Sequence, residues 1–270
     1  MKKAMAIGCH PDDIEFMMSG TLLLLKKAGW EIHYMNVANG SCGTVRYEKE
    51  EIISIRREEA RKAASFIGAT FHESLVDDLD VYYERKTLAR LTAIIRQVAP
   101  EIILTHSPVD YMEDHINTCR LTVTAAFCRG MRNFLTEPPI APTNQPVTIY
   151  HALPYPLKDP LRRRIRAGLY VDISSVMETK RQMLAFHRSQ KEWLDVSQGQ
   201  DSYLQMMVQI CQEAGKMSGC FLYAEGWRRH LHTGFCGEND DPLKETLTEQ
   251  ISVDAQYEAE LDWLESEPKV

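Results

Sequence analysis

With 270 residues, 44% of them hydrophobic, the chain has the material for one large domain with a substantial core. A formal charge of -7 argues against nucleic acid as a partner, and no run approaches the ~18 apolar residues of a membrane span. Seven cysteines, odd in number and without a CxxC pair, argue against a disulfide framework and fit a reducing, cytoplasmic setting, while Asp12, Asp13 and Glu15 interrupt what would be the apolar core of a signal peptide.

The apolar run Met5-Ala6-Ile7-Gly8-Cys9 predicts a first strand over 3–9, followed by a helix over 16–29. A strand at 31–37 leads to a helix at 50–67, where Ile52, Ile55, Ala60, Ala63, Ala64 and Ile67 recur with roughly helical spacing. Gly29 and Gly68 stand where helix C-caps belong. Further strands are predicted at 70–75 and 101–106, and further helices at 85–98 and 115–129. This alternation with short links predicts a Rossmann-like α/β fold: a mostly parallel sheet with helices on both faces and right-handed crossovers. Residues 130–168, rich in proline, form a loop-rich excursion with a strand at 147–152. A short strand near 170–173 leads to Ser174-Ser175, which cap a helix reaching about Trp193, and another helix covers 202–217. The reading is one domain over 1–235 and a polar, acidic tail over 236–270.

Chemistry concentrates at the ends of two predicted strands. The first is followed by His10-Pro11-Asp12-Asp13-Ile14-Glu15, the fourth by His106-Ser107-Pro108-Val109-Asp110-Tyr111-Met112-Glu113-Asp114-His115. In open parallel sheets ligands bind beyond the carboxyl ends of strands, so two loops a hundred residues apart can meet there. Carboxylates at that density repel one another unless something positive sits among them. The simplest site takes His10, Asp13 and His115 as metal ligands and leaves Asp12 to deprotonate a water. Caps, turn bonds and surface charge are the competing readings, and His106 reads as a hydrogen-bond partner rather than a ligand. A dinucleotide site is disfavoured, because Gly8-Cys9-His10-Pro11-Asp12-Asp13 lacks the Gly-x-Gly-x-x-Gly turn. No Gly-x-Ser-x-Gly elbow is present either.

At His10 to Glu15 the sequence resembles the LmbE-like, or PIG-L, family of zinc-dependent N-deacetylases, whose opening His-Pro-Asp-Asp-x-Glu it carries intact. The resemblance extends through Asn39-Gly40 to Gly43-Thr44, Arg56-Arg57-Glu58-Glu59-Ala60, Thr105-His106-Ser107-Pro108, Asp114-His115, His187-Arg188-Ser189-Gln190 and Tyr223-Ala224-Glu225-Gly226. It implies zinc on His10, Asp13 and His115, with Asp12 as general base, and the division of labour between the two aspartates rests mainly on it. It also implies that Arg56 contacts substrate oxygens, and Asp114 is counted with the catalytic acids as an orienter of imidazole.

One departure stands out. The family's second motif reads His-Pro-Asp-His, where this chain has Met112-Glu113-Asp114-His115. Met112 cannot donate the hydrogen bond that the missing histidine implies for the oxyanion or the leaving amine. Tyr111, His106, His151, His230 and His232 are the candidate replacements. His151, after the strand at 147–152, and His230, in Trp227-Arg228-Arg229-His230-Leu231-His232, are further candidates for substrate contact. The implied activity is metal-dependent removal of an acyl group, acetyl first, from an N-acylated amino sugar or sugar conjugate, with one Zn2+ per chain. A different small-molecule amide, or a metal-containing sugar-binding protein with little turnover, are the alternatives. No membrane insertion is expected, and a homo-oligomer is left open.

Overall fold

Strand β1 (Lys3–Gly8) alternates its side chains across the sheet, as a period of two requires. Ala4 and Ala6 join one core with Leu22, Leu25, Ile32 and Tyr34, whereas Met5 and Ile7 join another with Leu91, Ile95, Ile103 and Leu121. Both faces are thus covered by helices, and β1 is buried almost end to end. The computed structural model describes residues 1–192 and 202–261.

In chain order α1 (Asp13–Met17) and α2 (Ser19–Lys27) precede β2 (Glu31–Asn36), α3 (Lys49–Phe66) and β3 (Thr70–His72). Then come α4 (Arg85–Val98), β4 (Ile102–Thr105), α5 (Glu113–Phe127), β5 (Thr148–Ala152) and β6 (Leu169–Asp172). The second half continues with α6 (Met177–Leu184), α7 (Ser202–Ser218), β7 (Ala224–Arg229), α8 (Pro242–Thr246), β8 (Ile251–Val253) and α9 (Ala255–Leu261). The eight strands form one sheet in the order β3-β2-β1-β4-β5-β7-β6-β8. From β3 to β5 the pairs are parallel; β7, β6 and β8 are added antiparallel. The chain winds outward from β1 through β2 to β3, then returns to place β4 on β1's other side. The crevice between β1 and β4 is therefore the point where strand order reverses, where open α/β sheets bind ligands.

Three expectations change. The helix expected over 16–29 is two helices that break at Met18. Buried Glu225 holds the break open, accepting from the backbone N–H groups of Gly20 (2.8 Å) and Thr21 (2.7 Å), which lack partners within α2's first turn. Lys180 closes the other side, donating to Phe16 O at 3.0 Å and to Glu225 at 2.6 Å. The helix expected to reach Trp193 breaks after α6 ends at Leu184 and resumes over 188–192, and Trp193 itself lies outside the described residues. Finally, the sheet does not stop at residue 235. β8 pairs with β6, and Leu243 and Leu247 are buried in the core, so part of the expected polar tail is structural. Two leucines among many acids were too little signal for a composition-based reading. No helix among the described residues is long and apolar enough to cross a membrane.

Candidate metal centre and active site

The β1–α1 loop is folded tightly around one carboxylate. Asp13 Oδ2 accepts from the backbone N–H of His10 at 2.7 Å and of Cys9 at 3.2 Å, and Asn36 Nδ2 donates to His10 O at 2.6 Å. The turn puts Asp12 at φ 106°, a left-handed conformation unusual for a residue with a side chain. Asp12 and Asp13 thereby point to different partners although they are adjacent.

Three imidazoles surround Asp13 Oδ2: His10 Nδ1 at 3.6 Å, His106 Nε2 at 3.3 Å and His115 Nε2 at 3.4 Å. Their other bonds separate them. His10 Nε2 lies 3.1 Å from Asp114 Oδ2, and His115 Nδ1 lies 3.1 Å from Asp110 Oδ1. A carboxylate accepts, so each of those nitrogens carries the proton and the opposite nitrogen turns its lone pair to the centre. His106 differs: its Nε2 accepts the backbone N–H of Cys9 at 2.8 Å, so that lone pair is already used. By distance alone the close groups are Cys9–His10–Asp13 and Asp13–His106–His115, each with ligand atoms within 4.8 Å of one another. The hydrogen bonds favour His10 over His106 as the third ligand. Asp114 is an orienting group, since its Oδ2 also accepts the N–H of Leu79 at 2.8 Å.

The charges agree with a centre that requires a cation. Burial would lower the pKa of His10, but Cys9, Asp114 and Asp13 outweigh it and hold the imidazole well above its ordinary value. Burial likewise opposes, and Asp13 and Asp110 override, the upward shift at His115. Against its own burial, Asp13 is held well below the usual carboxylate range by His115 and His106. Asp12 goes the other way: burial pushes it up to about 6, and Arg56 offsets only part of that.

Asp12 Oδ2 accepts from Tyr203 Oη at 2.8 Å and lies 3.7 Å from Arg56 Nη2. Arg56 comes from α3, is 3% exposed, and donates to Pro11 O at 2.6 Å. Its Nε has no partner among the described residues. Gly40 and Gly43 lie against this guanidinium so closely that a Cβ on either would collide with it. The glycines of the β2–α3 loop are thus explained by close approach to Arg56, and Gly40 also has φ 82°. The resulting pocket, about 500 Å³, is bordered by His10, Asp12, Asp13, Arg56, Tyr111 and His115, and also by Met112, Tyr155 and Tyr203.

Two expected substrate contacts lie elsewhere. His151 and His230 hydrogen-bond to each other at 3.0 Å and border a second cavity, beyond the β4–α5 loop, that His10, Asp12 and Asp13 do not border. The reason is β5's register: Thr105 pairs with His151, so His151 Nδ1 reaches back to His106 O at 2.8 Å instead of forward into the pocket. His232 borders neither cavity. Of the expected stand-ins for the missing histidine, Tyr111 and His106 line the pocket, and His106 is engaged by Cys9.

Sequence reasoning missed Tyr203, a buried tyrosine on an amphipathic helix that nothing in the local pattern sets apart. It also missed Asp110, whose role only the fold reveals. The late motifs turn out to brace the frame. Glu59 accepts from Ser189 N at 2.9 Å and Ser189 Oγ at 2.7 Å, and Gln190 Nε2 donates to Gly43 O at 2.7 Å. Glu15 accepts from Tyr34 Oη at 3.0 Å and lies 3.4 Å from His187 Nε2.

Comparison with known proteins agrees with this architecture. Residues 5–126 match the family described as PIG-L: GlcNAc-PI de-N-acetylase. A diacetylchitobiose deacetylase of Thermococcus kodakarensis is 31% identical over 238 residues, covering 84% of this chain and 83% of that protein. The N,N'-diacetylchitobiose deacetylase from Pyrococcus horikoshii, solved with its inhibitor MPG, superposes with a TM-score of 0.71 at 25% identity, covering 85% of this chain and 84% of that one. A 4-oxalmesaconate hydratase of Pseudomonas putida is 29% identical over 122 residues, 42% of this chain and 47% of that protein. With the likeness running through both loops of the centre and across most of the chain, this protein belongs to the PIG-L, or LmbE-like, family.

Proposed function

We propose that the protein is a zinc-dependent N-deacetylase that removes acetate from an N-acetylated amino sugar or sugar conjugate. One observation carries the reading: His10 and His115 each commit one nitrogen to a carboxylate and turn the other toward Asp13, with Asp12 beside them and outside that cluster. That donor set, two imidazoles and a carboxylate, suits zinc with a position left open. The diacetylchitobiose deacetylases among its relatives support the substrate class. The seven free thiols support a reducing, cytoplasmic setting.

A divalent ion in this centre would supply Lewis acidity toward the acyl oxygen and toward water. Asp12 takes the proton of the attacking water, held in place by Tyr203 and kept from the ligand set by the turn at Pro11. Water adds to the acyl carbon, the C–N bond breaks, and the proton held by Asp12 passes to the leaving amine. Arg56, which borders the pocket, binds substrate oxygens. Tyr111 borders the pocket where Met112 cannot donate, and burial with the nearby Asp13, Asp110 and Asp12 raises its pKa. It remains a phenol, suited to donate a hydrogen bond to the oxyanion rather than to act as an acid.

The test is mass spectrometry of the zinc-loaded chain incubated with diacetylchitobiose, N-acetylglucosamine and their conjugates. Acetate and a free amine are the expected products. Because one relative is a hydratase, the panel includes unsaturated dicarboxylates, and water addition without amide cleavage would replace this reading. Saturable sugar binding with no turnover of any compound would replace it with a sugar-binding protein.

A further inference from the structure

The second cavity, about 590 Å³, is bordered by Arg120, Arg228, Arg229, His151, His230 and Tyr257, and among the described residues by no aspartate or glutamate. In a chain of net charge -7, a cavity bordered by three arginines, with no acid among the described residues, is a strong local reversal of sign. Arg228 is the most informative of the three. It comes from β7 and donates through Nη2 to Ser107 Oγ at 2.6 Å. Its buried Nε has no partner, and no carboxylate pairs with it among the described residues. Burial lowers its pKa, as expected of a cation removed from water without a counter-ion. Arg120, on α5, lies over the Tyr83 ring at 5.0 Å, with no carboxylate partner among the described residues. Arg229, next along β7, turns its guanidinium to the other face of the sheet, where it donates to Asp240 O, so the cavity's cations are Arg120 and Arg228.

The imidazoles supply no compensating negative charge. His106 O only accepts, so His151 Nδ1 is the donor to it, and His151 Nε2 must then accept from His230 Nδ1. Both rings are neutral and fixed in one tautomer. The cavity therefore offers positive charge from two elements, α5 and β7, and an aromatic rim from Tyr83 and Tyr257.

We propose that this cavity binds a phosphate monoester, with the dianion between Arg120 and Arg228 and the organic part against the tyrosines. A guanidinium presents paired donors that match phosphate oxygens, and more than one cation without an acid favours a dianion over a monocarboxylate. The site is separate from the metal pocket, and the proposal does not depend on the deacetylase reading.

Calorimetric titration of inorganic phosphate into the zinc-loaded full chain tests it. One saturable site is expected. Its affinity should fall about tenfold or more in Arg228→Met and in Arg120→Met, and stay unchanged in Arg56→Met, which alters the metal pocket instead. Arg228 also holds Ser107, so Arg228→Met risks misfolding; Arg120 is exposed, and Arg120→Met decides the matter if Arg228→Met does not fold. Three results would overturn the proposal: no saturable binding up to about 10 mM phosphate, binding lost in Arg56→Met but not in Arg120→Met, or benzoate binding as tightly as phosphate.

Discussion

Two pairs of histidines, His10 with His115 and His151 with the half-buried His230, stand on either side of the β4–α5 loop and do opposite things. Each member of the first pair leans on a carboxylate, Asp114 or Asp110, and both rings are shifted toward the charged form. The second pair lean on a carbonyl and on each other. Burial pushes His151 down to about 4 and lowers His230 as well. The partner of the far nitrogen decides whether an imidazole serves a cation or a neutral hydrogen-bond chain. Motif spacing does not reveal that partner, which is why His151 and His230 read from sequence as substrate contacts.

The largest way to break this contrast is to remove a ligand. His115→Ala and His10→Ala should each reduce bound zinc from about one equivalent to a small fraction, whereas His106→Gln, which keeps an acceptor for Cys9 N, should retain it. Elemental analysis of protein purified without chelator reads this directly. The reverse pattern would hand the ligand role to His106.

Next in size, Asp12→Asn should retain zinc while activity falls on the order of 100-fold or more. Loss of zinc in that variant would make Asp12 a ligand. A smaller effect is expected at Tyr111. Tyr111→Phe should lower kcat about tenfold with little change in KM, and Met112→His in that background should restore part of it. A Tyr111→Phe enzyme with unchanged kcat would remove the phenol from oxyanion stabilisation.

A further difference between the pairs concerns pH and stability. His151 titrates near 6.5 when unfolded and near 4 when folded, so it contributes nothing to pH dependence above 6.5. As pH falls from about 6.5 toward 4, the unfolded chain takes up a proton that the folded chain refuses, and stability is lost. The loss is on the order of 3 kcal/mol by pH 4. Urea midpoints across this range should decline less steeply in His151→Asn than in wild type. Equal slopes would show that His151 is readily protonated in place, and the contrast between the pairs would collapse.

The parallel half of the fold was legible because each element announces itself. Helices α3 and α4 fall within a residue of the expected 50–67 and 85–98, and β1, β2 and β4 lie inside their expected ranges. The antiparallel half was legible only in part: β6 and α7 fall close to the expected 170–173 and 202–217, but β7 and β8 were not expected. Ala-Glu-Gly-Trp-Arg-Arg carries no alternation, and it becomes β7 because Glu225 is drawn inward to α2 and Lys180. The strand thus exists through tertiary contacts rather than its own propensity. In the site, the motifs pointed to the cluster but not to its supports. Asp110 is defined by a side-chain bond to His115 within its own loop, and Tyr203 by one that reaches Asp12, 191 residues away in the chain.

The backbone at Asp12 has a consequence for how this protein can change. A non-glycine residue at φ 106° costs about 1–3 kcal/mol, and its carboxylate is further disfavoured by burial. Asparagine tolerates that backbone better than most residues and carries no charge. In the metal-free chain, Asp12→Asn should therefore raise the melting temperature even as it removes turnover. Selection for heat resistance alone would carry position 12 out of catalysis, and only selection for the reaction keeps an aspartate where neither the backbone nor the solvent favours one.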